Sequence, residues 1–165
     1  MNVWSFTFEK IPTSLEEFKS LKEAQLQTPQ ETAALFLIAM MAYKNNEALG
    51  FELLDFLNGL ADLTPYDKQF LKDRLRGKSY VVNSFFEGAT PTNNYEPTLP
   101  YTIKVMDNQY SYAQSGYAKL FIKSSGADSP RPITLRLKPS TNQWFYVSQL
   151  LLSGIRLPVS LDEWA

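Results

Sequence analysis

The chain has 165 residues, 44% hydrophobic and 20% charged, the balance of a globular protein long enough for one domain with a sizeable core. Sixteen basic and seventeen acidic residues leave a formal charge of -1, which sets up no strong field for nucleic acid or an anionic membrane. Cysteine and histidine are both absent, which excludes disulfides, thiolate nucleophiles, Ser-His-Asp and Cys-His catalysis, and zinc sites built on thiolate or imidazole.

The first element is a short strand in which Trp4, Phe6 and Phe8 alternate with Ser5, Thr7 and Glu9. Pro12 stops it. Ser14 with Glu17 three residues on is a capping box for a short helix carrying Leu15, Phe18 and Leu21. Thr28-Pro29-Gln30-Glu31 is a stronger start, with a cap, a proline at N1 and a glutamate at N3. Ala33 to Tyr43 then runs without a charge. A surface helix shows a charged face, and a membrane span needs about 20 apolar residues. The run therefore predicts a buried central helix of a water-exposed fold.

Asn45-Asn46 breaks that helix. A third follows from Glu47 to Asn58, its stripe formed by Leu49, Leu53, Phe56, Leu57 and Leu60. Gly50 on its first turn permits close packing on the central helix, and Gly59 stops it. Thr64-Pro65-Tyr66-Asp67 opens a fourth helix with Tyr66, Phe70, Leu71 and Leu75 as its inner face and Gly77 as C′. Tyr80 to Phe86 is apolar without a clear period. Gly88 to Pro100, rich in Gly, Pro, Thr and Asn, reads as an ordered connector.

Beyond it period two takes over. Tyr101, Ile103 and Val105 define one strand; Gln109 to Tyr112 is expected to return as another. Ala118, Leu120 and Ile122 define the next, Ile133, Leu135 and Leu137 a further one, and Gln143 to Ser148 the last. Leu150 to Ile155 is a helical turn or a closing segment. Short strands and short polar turns predict an antiparallel meander. The expected fold class is α+β in one domain, 1–165: a mainly helical half (1–87), a connector (88–100) and an antiparallel sheet half (101–165), the helices on one face of the sheet.

Three strings in the second half are distinctive: Asn83-Ser84-Phe85-Phe86-Glu87-Gly88-Ala89-Thr90-Pro91, Ser124-Ser125-Gly126-Ala127-Asp128-Ser129-Pro130-Arg131-Pro132, and Gln143-Trp144-Phe145 followed by Leu151-Leu152-Ser153-Gly154-Ile155-Arg156 and Pro158. Together they resemble a family of small uncharacterised bacterial proteins, found largely in Gram-positive genomes and catalogued as a domain of unknown function. The resemblance covers most of the chain and implies no catalytic or binding residue.

Chemistry-bearing candidates are few. Arg76-Gly77-Lys78-Ser79 has the tail of a phosphate loop but neither the earlier glycine nor the strand before it, and reads as a helix C-cap. Asp67, Asp73, Glu87, Glu96 and Asp128 are the carboxylates open to glycosidase-like work, and no local spacing pairs them. No metal site, catalytic residue or cofactor is expected. The candidate interaction surface comprises Asp128, Arg131, Arg136, Tyr112 and Phe121. Asp128 and Arg131 lie on a proline-flanked loop, where binding residues concentrate; the alternative is that they shape the loop, Arg131 pairing with Asp128 or a terminal acid. Arg136, Lys138, Lys119 and Lys123 share one strand parity around Phe121, which is a single-strand nucleic-acid platform or a solvated face guarding against edge pairing.

The residues favour a non-enzymatic cytoplasmic domain that binds another protein. The opening Met1 to Ser5 shows no leader pattern, and neither membrane nor nucleic acid is the expected partner. The alternative is a small-molecule-binding module, or an unusual enzyme without His or Cys, using a cleft lined by Tyr80, Phe85, Phe86 and Tyr112. A partly apolar pocket with convergent polar groups distinguishes the second reading; a flat exposed apolar patch distinguishes the first.

Overall fold

The computed structural model describes residues 1–59 and 61–165. Leu60, expected in the stripe of the third helix, lies outside the described residues. In chain order the elements are β1 (Val3–Phe8), α1 (Leu15–Ser20), α2 (Pro29–Asn45), α3 (Glu47–Asn58), α4 (Pro65–Leu75), α5 (Tyr80–Asn83), β2 (Tyr101–Met106), β3 (Tyr117–Ile122), β4 (Arg131–Lys138) and β5 (Gln143–Gln149). The sheet is antiparallel throughout, in the order β1-β2-β3-β4-β5. This is the expected α+β meander.

Capping chemistry sets the helix starts. Thr28 and Thr64 each close a full capping box ahead of a proline, with Glu31 and Asp67 as the reciprocal acids. At α1 only half the box forms. Ser14 Oγ accepts from Glu17 N, but the Glu17 carboxylate turns to Thr13, whose hydroxyl donates to it at 2.8 Å. Asn46 ends α2 and, by accepting from Leu49 N, caps α3.

The apolar run fills the centre. Every residue from Ala33 to Tyr43 is buried, and α2 packs against all five strands as well as α3 and α5. The inner sheet face supplies Phe8, Ile103, Val105, Ala118, Leu120, Ile122, Ile133 and Leu135. Gly50 permits the close approach of α3: a β-carbon there would lie 2.5 Å from the Cα of Tyr43. Leu151 and Leu152 are buried, so 150–155 is a closing segment.

Two expectations are corrected. Gln109–Tyr112 is not a strand. Asn108 Oδ1 accepts from Tyr110 N at 2.8 Å and Ser111 Oγ from Asn108 N at 2.9 Å, and these side-chain bonds hold the backbone in turns. On α4 only Leu71 and Leu75 are buried, while Tyr66 is 77% exposed and Phe70 39%. Lys68 and Lys72 instead lie 5.5 and 6.0 Å from the Phe51 ring of α3, so lysine stems cover the face that the aromatics were expected to cover.

β1 was legible as a strand but its place was not: it pairs along its whole length with β2, from Val3 opposite Met106 to Phe8 opposite Tyr101. Asp107 fixes the far end by accepting from Asn2 N at 2.7 Å. β2 and β3 share only the pairs Val105–Ile122 and Met106–Phe121 before diverging. The segment after α5 bridges the split, with Glu87 N donating to Thr102 O at 2.9 Å and Ser84 O accepting from Ser125 N at 3.0 Å.

Candidate functional site

The most chemically distinctive concavity runs along β5. Ile133 faces Gln149 and Thr134 faces Ser148, but Leu135 faces Tyr146, so Val147 is the extra residue of a bulge. A bulge turns neighbouring side chains out of the regular alternation. Gly59, at a φ of +71°, ends α3 against the Phe145 ring; a β-carbon there would fall 2.2 Å from the ring carbon Cδ1. Gly59 and Ala61 therefore stand against one side of β5.

Two lobes result. One, of about 320 Å³, is lined by Asn58, Tyr117, Arg136, Leu137, Lys138 and Phe145, among others. The other, of about 270 Å³, is lined by Leu54, Leu63, Tyr66, Asp67, Phe70 and Ser148, among others. Asn58, Tyr146 and Val147 line both. Tyr146 is anchored from behind by stacking on Phe36 of α2 at 4.8 Å between centroids. Burial, and then the nearby Asp67 carboxylate, push its phenol well above the usual tyrosine range. The hydroxyl thus stays protonated, a hydrogen-bond donor, and among the described residues nothing accepts from it.

The electrostatics of the first lobe are one-sided. Arg136 and Lys138 line it and no carboxylate does. The Arg136 guanidinium lies 5.5 Å from the Tyr117 ring centroid, and among the described residues neither cation has an ion-pair partner. Asp67 in the second lobe is committed to its cap, accepting from Thr64 N at 3.0 Å. The arrangement suits an anion with an apolar body: charge to Arg136, body against Phe145, Leu137 and Tyr117.

The other sequence-named residues are dispersed. Phe121 is half-buried on β3 opposite Pro132. Asp128 pairs with Arg156 at 2.9 Å rather than with Arg131. Arg131 donates to Ser129 and, at 3.1 Å, to Gly154 O. Both therefore tie the 124–132 loop to the C-terminal segment. The Tyr112 hydroxyl accepts from Gln30 Nε2 at 2.9 Å, at the start of α2. Phe85 and Phe86 line a cavity of about 560 Å³ where β2 and β3 diverge, but Tyr80 stacks on the buried Tyr95 and Tyr112 is elsewhere, so the four do not form one cleft. Gly77, at a φ of +67°, follows α4 as a C′ residue, which agrees with the cap reading of Arg76–Ser79.

Carboxylates are scattered too: Asp73 pairs with Arg76 at 3.6 Å and Glu87 with Lys104 at 3.1 Å. Among the described residues no three acids cluster as a metal site. Sequence reasoning passed over Tyr146, Phe145 and Asn58. Their only signal was the lack of clean alternation in 143–149, which a bulge produces.

Residues 10–159 match the family described as a domain of unknown function, DUF6935, and the chain belongs to that family. No curated protein and no solved structure matches it.

Proposed function

We propose that this domain is a non-catalytic binder of a small anionic molecule with an apolar body, held in the groove along β5. The observation that carries the reading is Arg136, an arginine without an acid partner among the described residues, laid over Tyr117 in a lobe whose walls are otherwise mainly apolar. Pockets of about 300 to 1,000 Å³ with few, well-placed polar groups are the usual small-molecule sites. Lys138 adds a second cation, and the Tyr146 hydroxyl a neutral donor. The setting that goes with this reading is a bacterial cytoplasm, supported by the resemblance of the three sequence strings and by the absence of cysteine. Among the described residues no helix is long and apolar enough to cross a membrane.

The test is calorimetric titration with benzoate, phenylacetate and octanoate. At least one should bind, and Arg136→Ala should weaken it about tenfold to a hundredfold, the value of a hydrogen bond to a charged group. Binding that survives Arg136→Ala, or none of the three binding, counts against the reading. A protein partner is the second reading. It is favoured by the exposed Tyr66, Phe70 and Val147 that border the second lobe, and a Tyr66→Ala, Phe70→Ala pair would sever such a contact without touching Arg136.

A further inference from the structure

A lysine in the last turn of a helix ordinarily reaches water and the free carbonyls of the helix end. Lys44, in the last turn of α2, is instead half-buried and turned onto a neighbouring helix. Its ammonium donates to Asn83 Oδ1 on α5 and lies 3.9 Å from Met41 Sδ. Asn83 is itself fixed, its Nδ2 donating to Tyr95 O at 3.1 Å. Among the described residues no carboxylate comes within ion-pair distance of the amine. Lys44, Met41 and Asn83 line a cavity of about 240 Å³ whose other walls include Ile11, Leu99 and Tyr101.

We propose that Lys44 is a reactive amine that captures small uncharged aldehydes in this cavity as a protonated imine. The site is separate from the β5 groove, and the proposal stands whatever that groove binds. The unprotonated Nζ attacks the carbonyl carbon, forming a C–N bond as the carbonyl π pair moves to oxygen. The carbinolamine then loses that oxygen as water, so ammonium plus aldehyde becomes iminium plus water with no net gain or loss of protons or electrons. Three features favour it. The amine is held by a neutral amide rather than a carboxylate. The cavity has room for a small ligand and sets the side chains of Ile11, Leu99 and Tyr101 beside the polar Asn45 and Asn83. Glu96 lies at the cavity as a proton carrier and disfavours anionic carbonyl compounds.

The groups around the amine are Glu96 of the connector, Tyr101 of β2 and Tyr43 of α2, with Glu47 of α3, Lys72 of α4 and Arg76 across the cleft on the other side of Lys44. Lys72 is matched by Glu47 at 3.3 Å and Arg76 by Asp73. Burial lowers the ammonium's pKa, Glu96 opposing in part.

The test uses the full chain, benzaldehyde below stoichiometry and sodium cyanoborohydride, with benzylation at each lysine quantified by mass spectrometry after digestion. Lys44 should label faster than every exposed lysine near neutral pH, since a lowered pKa raises the free-amine fraction. Its labelling should also rise with pH to a lower midpoint. Asn83→Asp, which supplies a carboxylate, should remove the advantage. Labelling that follows exposure, or an Asn83→Asp chain that labels Lys44 as fast as the parent, overturns the proposal; the first result needs no variant to fold.

Discussion

α2 and α4 begin alike and end differently. Each opens with threonine, proline and an acid at N3, and the bonds match closely: Glu31 N donates to Thr28 Oγ1 at 3.2 Å and Asp67 N to Thr64 Oγ1 at 3.1 Å. Yet α2 buries fourteen of its residues and α4 only Leu71 and Leu75, so the shared cap says nothing about depth. The cap fixes where a helix starts. The side chains that follow decide whether it becomes the centre of the molecule or part of its surface.

Substitutions in the two helices test that division. The largest effect should come from Leu37→Asp. An unpaired charge in the middle of α2 costs several kcal/mol or more, so the chain should not fold, as judged by the loss of a cooperative melt by circular dichroism. Phe70→Asp on α4 should melt cooperatively near the parent temperature. Equal damage at both positions would break the comparison. Gly50→Ala follows, because its new methyl meets the Tyr43 backbone of α2; overpacking of this kind costs about 1–3 kcal/mol, read from urea melts.

Removing the caps sharpens the contrast. Thr28→Ala and Thr64→Ala should each cost about 1 kcal/mol locally. Only the first should lower the global melting temperature, by roughly 2–4 °C for a chain of this size. The second should appear as faster amide exchange in α4 alone. Alkali should act through the wall between α2 and the groove. The Tyr146 phenol has a folded pKa raised above its unfolded value of about 10. Its contribution is therefore fully present below about pH 10. It is lost as pH rises through the folded value, because the unfolded chain releases its proton first. Tyr146→Phe should make the alkaline decline in urea midpoint shallower. The smallest effect belongs to Asp128→Ala. Its pair with Arg156 is exposed, and the melting temperature should stay within about a degree.

What could be read from sequence was what neighbours in sequence decide. Thr28, Asn46, Gly59 and Thr64 act on residues three or four positions away, so the helix limits were legible. Gly50 was legible because a glycine one turn into an apolar helix implies a close crossing. The partner of β1 was not, because no local pattern tells Val3–Phe8 which strand to join. The β5 groove was hidden for a related reason. Tyr146 and Phe145 gain their surroundings from Phe36 and Gly59, and Val147 is displaced by a bulge that only the pairing with β4 creates. The Lys44–Asn83 contact, 39 positions apart, lies beyond any periodicity. Tyr66 and Phe70 were misplaced because hydrophobicity alone ranked them above the lysine stems that do the covering.

The pairing of β1 with β2 has a consequence for how the protein is made. During translation Val3–Phe8 leaves the ribosome long before its neighbour; the bond from Asn2 to Asp107 spans 105 positions. Throughout that interval the greasy α2 has no sheet to shelter it. A nascent chain halted before Tyr101 would carry an apolar rod covered only by its neighbouring helices and an orphaned strand, the form of this polypeptide most prone to clump and most in need of a chaperone.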